Sequence, residues 1–379
     1  MKRILFQIHL WIGLILAAPF LILGATGAIL VFDQDVERAL NPPTVQASAG
    51  ESQPLDAIAA AALNGAPKGA RVNTLLLPEK PGDPAIARIG QRGQRGGGAV
   101  VEVDPVTLAT HKPAPSATGD FFRMLHQLHG RFLVEGPLGR QLVGWAGAAM
   151  LVMGISGLWL WWPKRGQWAR AFGVRTKGPA YRINRDLHGA FGIWTFAVFM
   201  IVTFSGVYIS FPKTMAAATI AVAPGKDLRS SVDAIKASEA RGEPIGFDAA
   251  AAAARAALPD GRVFSIAPAG RPGTPMRVGL RTPGAAEGAP FATIYLDPAD
   301  GRVLEVRDPR RYTAGEGFQA WMRPLHEGLG VGLWFKIFAF LAGIAPMVFV
   351  VTGIAMWLIK GGVRGAQAGE PERERVLVK

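Results

Sequence analysis

The sequence predicts a mainly α membrane protein: four transmembrane helices in two tandem repeats, each with a small α+β external domain. Three observations predict it. Four stretches, Ile4–Phe32, Gln141–Pro163, Leu187–Pro212 and Ile337–Ile359, contain no Asp, Glu, Lys or Arg. Histidines recur at matching places near the ends of those stretches. The polar segments that follow the first and third stretches also read alike.

Each stretch exceeds the roughly 20 apolar residues that cross the hydrocarbon core as a helix. In order, the expected elements are the first span (1–32), an external domain (33–120), and a second span with a preceding His segment (121–163). A basic loop (164–186), the third span (187–212), a second external domain (213–317), a fourth span with its His segment (318–360) and a tail (361–379) complete the chain. Lys2 and Arg3 precede the first stretch, as in a signal peptide, but its apolar run far exceeds a signal h-region and is expected to stay as an anchor.

The net charge of +13 suggests nucleic acid until its location is read. Lys164, Arg165, Arg170, Arg175, Lys177, Arg182 and Arg185 crowd the middle loop, and Lys360 and Arg364 follow the last span. Short basic flanks stay in the cytoplasm, so membrane lipid is the expected partner and nucleic acid is not. Both termini are then cytoplasmic, in a bacterial inner membrane, and the external domains are periplasmic. The absence of cysteine excludes disulfides, thiolate iron–sulfur clusters and covalent c-type haem.

The repeat is detailed. Ile8-His9-Leu10-Trp11-Ile12-Gly13 aligns with Leu187-His188-Gly189-Ala190-Phe191-Gly192, and Gly27 and Gly206 follow their histidines at the same separation. Leu128-His129 and Leu325-His326 precede runs that close on Ser156-Gly157 and Thr352-Gly353. In the external segments, Leu55–Leu63 resembles Phe247–Leu258, both Ala-rich with an Asp near the start. Each series reaches a strand and an Asp-Pro turn, at Asp104-Pro105 and Asp297-Pro298.

Ionisable residues at membrane spans are functional candidates. One His at a span end reads as an interfacial residue; His9, His188, His129 and His326, in repeat-related places, read as ligands. A pseudo-twofold axis along the membrane normal would bring His9 to His188 and His129 to His326. His126 shares a helix face with His129, so either could ligate. His111 has no counterpart and reads as a surface residue.

Two neutral imidazoles per site, without thiolate, do not suit calcium or magnesium, and fall short of a zinc site. They suffice for haem, whose porphyrin supplies the other ligands. Two non-covalent haem b groups with bis-histidine ligation are therefore expected. Gly13, Gly192, Gly130 and Gly328 leave space for a flat macrocycle, although glycine also serves helix packing. His129 and His326 precede their apolar runs by several turns. Either the outer haem lies at the membrane surface or these segments fold back. Arg140 and Arg131 outside, and Arg182 or Arg185 inside, suit haem propionates or interfacial anchoring equally.

The chain resembles the PepSY-associated transmembrane family over nearly its whole length. The resemblance rests on Ile8–Leu14, Leu128-His129, Gly139-Arg140, Gly157–Pro163 and Pro324–Gly328. It implies PepSY-like external domains and haem ligation by His9, His188, His129 and His326. Family members include di-haem inner-membrane reductases of ferric siderophores. Some relatives carry a C-terminal flavin-reductase domain, so the electron donor expected here is a separate cytoplasmic molecule or a quinol.

The expected function is transmembrane electron transfer that reduces ferric siderophores or other ferric chelates on the periplasmic side, releasing Fe(II). The expected class is thus an oxidoreductase, with no catalytic residue assigned beyond the ligands. A membrane-anchored PepSY protein that binds or regulates peptidases is the alternative; an iron-siderophore permease is a third. The arginines of Arg88–Arg95 suit an anionic chelate or a solvated loop.

Overall fold

The computed structural model describes residues 2–91, 98–239 and 243–368. Its helices are α1 (Lys2–Ile15), α2 (Ala17–Leu30), α3 (Asp33–Leu40), α4 (Leu55–Ala62), α5 (Ala117–Arg131), α6 (Gly136–Trp161) and α7 (Trp168–Ala171), followed by α8 (Ala180–Ser210), α9 (Pro212–Val222), α10 (Ser230–Asp233), α11 (Phe247–Ala257), α12 (Ala314–His326) and α13 (Leu333–Ala368). The strands are β1 (Ala70–Leu76), β2 (Ala85–Gln91), β3 (Ala99–Val103), β4 (Thr110–His111), β5 (Arg262–Ala267), β6 (Met276–Arg281), β7 (Ala292–Leu296) and β8 (Val303–Arg307). The chain forms two compact units, one of residues 1–33, 122–212 and 325–379, the other of 34–121 and 213–324.

The first unit is a helical bundle. Helices α6, α8 and α13 are each long and apolar enough to cross a membrane. The first predicted span is not one straight helix: α1 and α2 meet at a bend of 68°, and the pair counts as a fourth span only when taken together. Pro19, in the first turn of α2, explains the break. Its ring clashes with the carbonyl four residues back and offers no N–H to it. Small residues then let α2 and α13 approach closely. A Cβ on Gly24 would lie 2.8 Å from Gly343 O, and one on Gly343 would lie 2.8 Å from the Ala28 backbone. Phe20, Leu23, Met150, Phe199, Phe335 and Ala342 fill the interior. Trp145, Ile155, Trp159 and Val351 point outward, as side chains that meet lipid do.

The second unit is an antiparallel sheet. The two polar segments, 33–120 and 213–317, do not make separate sheets. Their strands join into one of eight, in the order β4-β3-β2-β1-β5-β6-β7-β8, through Leu75↔Ile266 and Leu76↔Ser265. Alternating residues such as Val72, Leu75, Ala87 and Ile89 pack under α4, and Val263, Ile266, Val278 and Leu280 under α11.

Carboxylates tie these segments together. Asp248 accepts from the Leu55 and Asp56 amides at the start of α4, and Asp56 accepts from the Phe247 and Asp248 amides at the start of α11. Each helix thus has its first orphan N–H groups satisfied by the other's aspartate. Asp104 accepts from Ser48 and from the Val106 amide in its turn; Asp297 accepts from Ser238 and from the Ala299 amide. Burial raises the Asp104 pKa, but hydrogen bonds from Ser48, Val106 and Thr107 outweigh it and hold the carboxyl below the usual range. The Ser238 hydroxyl does the same for Asp297 against its burial.

A carboxylate with a depressed folded pKa contributes stability above its unfolded pKa, about 3.9, and loses it as pH falls through the folded value. Hydrogen exchange at the sheet amides should therefore quicken below about pH 4. Asp104→Asn and Asp297→Asn should quicken it at neutral pH and flatten the acid dependence. Exchange that slows on acidification, beyond its chemical pH dependence, would contradict this account.

Candidate functional site

His9 on α1 and His188 on α8 are half-buried and face one another. Their ring centroids lie 6.4 Å apart, with planes at 70°. His9 Nδ1 is 2.8 Å from Ser156 Oγ on α6, and His188 Nδ1 is 2.8 Å from Thr352 Oγ1 on α13. Phe349 packs against His188 at 5.0 Å between centroids.

The second pair reaches the bundle by reversal of the chain. After α5, Phe132 and Leu133 adopt φ of 52° and 60°, and Gly136 adopts 73°. After α12, Gly328, Gly330 and Gly332 adopt φ of 72°, 82° and 111°, where a side chain would add strain. These turns allow α5 and α12 to precede their spans without extending them. Of the two readings left open by the sequence, folding back is the observed one. His129 Nδ1 lies 2.9 Å from Thr26 Oγ1 on α2. His326 Nδ1 lies 2.8 Å from Val202 O and 3.4 Å from Ser205 Oγ on α8. The His129 and His326 centroids are 6.0 Å apart, with planes at 40°.

The hydroxyl contacts favour one tautomer. Thr26 donates to Ile22 O, Ser156 to Met153 O, Ser205 to Ile201 O and Thr352 to Val348 O. With its proton so used, each oxygen accepts from a histidine Nδ1–H. The proton then sits on Nδ1 and the lone pair on Nε2, the nitrogen that would meet a metal. Glycine follows each hydroxyl residue, and at Gly27, Gly206 and Gly157 it gives the ring room. A Cβ on Gly27 would lie 3.0 Å from His129 Cε1, one on Gly206 2.8 Å from His326 Cε1, and one on Gly157 3.4 Å from His9 Cε1.

His188 and Ser205 lie on the same unbroken helix, so the two pairs sit on levels roughly 25 Å apart at about 1.5 Å rise per residue. A metal–imidazole bond of about 2.0 Å puts two trans imidazole centroids roughly 6 Å apart. Among the described residues, no group of three or more His, Cys, Asp or Glu could hold an ion. Each pair brings two imidazoles to about that trans separation.

The sequence pattern of the PepSY-associated TM region matches residues 6–360. The chain belongs to that family. No curated protein matches it. The membrane assignment of this PepSY-associated protein rests on family and helices together, and it is multi-pass.

The other predicted residues of the PepSY-associated chain divide. His126 is exposed; its Nδ1 bonds to Phe122 O at 2.9 Å and its Nε2 lies 3.4 Å from Asp33. It is His129, not His126, that lies beside His326. Among the described residues, Arg140 Nε is buried without a hydrogen-bond partner. Arg185 pairs with Asp186 at 3.0 Å, while Arg131 and Arg182 are exposed. His111 lies on edge strand β4. Arg88 lies on β2, and Arg92 and Arg95 fall outside the described residues.

Sequence reasoning missed Thr26, Ser156, Ser205 and Thr352 as partners of the histidines. The signal was present: a Ser/Thr-Gly pair occurs on each apolar stretch, at Thr26-Gly27, Ser156-Gly157, Ser205-Gly206 and Thr352-Gly353. Gly27, Gly206, Ser156-Gly157 and Thr352-Gly353 were read only as marks of the repeat, and the glycines weighed as space were Gly13, Gly192, Gly130 and Gly328.

Proposed function

We propose that this PepSY-associated protein conducts electrons across a bacterial inner membrane between two bis-histidine haem b sites and reduces external ferric chelates. The observation that carries the reading is the two imidazole couples, with ring centroids 6.4 and 6.0 Å apart, at two levels of one bundle. Haem, when bound, supplies a one-electron redox centre. His9 and His188 would hold one group, and His129 and His326 the other. Arg140, with its unsatisfied Nε, offers a charge-assisted partner to a propionate.

The chain's own part is to hold the ligands and exclude water. Two levels roughly 25 Å apart would place one centre toward each face of a hydrocarbon core of about 30 Å. The donor, a cytoplasmic reductant or a quinol, loses one electron for each ferric ion reduced to Fe(II). Reduction weakens chelation by hard oxygen ligands and frees the iron. Basic flanks orient the termini and middle loop to the cytoplasm and the sheet unit to the periplasm. Tandem duplication accounts for the matched contacts: Ser156 with Thr352, Thr26 with Ser205, Asp104 with Asp297, and Asp56 with Asp248.

The purified protein should show the absorption of low-spin haem in both redox states, with about two haems per chain released by acid extraction, as non-covalent binding requires. Protein expressed with ample haem that carries none would refute the reading.

A further inference from the structure

We infer that Thr26, Ser156, Ser205 and Thr352 are positioning residues that hold the haem-ligating imidazoles in one tautomer and orientation, and thereby govern haem affinity and potential. This rests on the haem reading above. The ordinary use of a Ser or Thr inside a helix is to bond back to a carbonyl one turn earlier. All of these hydroxyls do so. That bond alone satisfies the hydroxyl and explains nothing about a neighbouring ring. Yet each oxygen also lies 2.8–3.4 Å from a histidine Nδ1 on a different helix.

The contact has a chemical consequence. A helix carbonyl takes the hydroxyl proton, which leaves the oxygen only the acceptor role toward Nδ1–H. Without the hydroxyl, the ring must bury an unpaired N–H, turn, or move its proton to Nε2 and lose the ligating lone pair. A hydrogen bond donated by Nδ1–H also makes the imidazole a stronger donor through Nε2, and so favours the oxidised metal. Loss of that bond should raise the midpoint potential. His326 has a second acceptor, Val202 O at 2.8 Å, so Ser205 matters least.

The test uses the full-length protein in detergent, stripped of haem and titrated with haemin, followed by redox titration of the reloaded protein. Thr352→Val and Ser156→Ala should each weaken one of the two sites by roughly 10- to 100-fold and raise its midpoint potential. Thr26→Val should do the same at the other site, and Ser205→Ala should shift it least. Thr352→Ser, which keeps the hydroxyl, should restore wild-type behaviour; a merely structural role would not move a potential while the bis-histidine spectrum persists. Should Thr352→Val fail to fold, Ser156→Ala and Thr26→Val decide the matter. Wild-type affinity and potential in both of those variants would overturn the inference and leave the haem reading intact. Wild-type protein that takes up no haem would overturn both.

Discussion

His9→Ala and His188→Ala should each remove one and the same haem, while His129→Ala and His326→Ala should each remove the other. The pairing runs between the halves of the chain, because His9 faces His188 at 6.4 Å and His129 faces His326 at 6.0 Å between centroids. Each variant should retain about one haem of two, since a bis-histidine site that loses an axial imidazole loses half of its protein ligation. The double variant His9→Ala with His188→Ala should be no worse than either single one, as expected for residues acting in one site. His126→Ala should leave both groups in place, for its ring is exposed and engaged with Phe122 O and Asp33. Gly206→Ala should mimic His326→Ala in part, because the new methyl would lie 2.8 Å from His326 Cε1. Haem quantification with spectra of each variant checks the whole set. Pairing within a half, His9 with His129 for instance, would break the geometric argument.

The histidines were legible because a titratable residue stands out in an apolar run, and because similar stretches of sequence surround it. Their exact neighbours were less so. The repeat alone favoured His129 over His126; what brings His129 to His326 is a turn at Phe132 and Leu133, whose positive φ values no residue-type rule anticipates in an aromatic and a leucine. The bend between α1 and α2 had a visible cause in Pro19, but a charge-free run hides it when only charge is counted. The sheet was half legible. Strand patterns and Asp-Pro turns were read correctly in each external segment, yet the same patterns suit two small sheets as well as one. The decision lies in Leu75 and Leu76 pairing with Ile266 and Ser265, a contact between distant parts of the chain that leaves no local signature. The hydroxyl partners went unread for a related reason. Ser and Thr are common inside membrane helices, and only the position of the ring makes these ones special.

Ferrous iron should appear outside proteoliposomes when a reductant is sealed inside and a ferric chelate is supplied outside. The sealed compartment separates donor from acceptor, so the product can form only if electrons cross the bilayer through the protein. One Fe(II) should be trapped per electron withdrawn from the internal pool. His9→Ala and His326→Ala should each reduce the rate to that of empty vesicles, since either change removes one of the two redox centres through which the electron would pass. His126→Ala and His111→Ala should run at the wild-type rate. The assay also separates the competing readings. A protein that only binds peptidases would leave the internal reductant unspent, and a permease would accumulate labelled chelate inside with no external Fe(II). If wild-type protein carrying both haems oxidises the internal reductant only when some acceptor other than hydroxamate, catecholate or citrate chelates is present, the conduit stands and the ferric substrate is wrong. If no acceptor draws electrons out, the two histidine pairs do not form a conducting path, and the assignment of electron transfer fails with them.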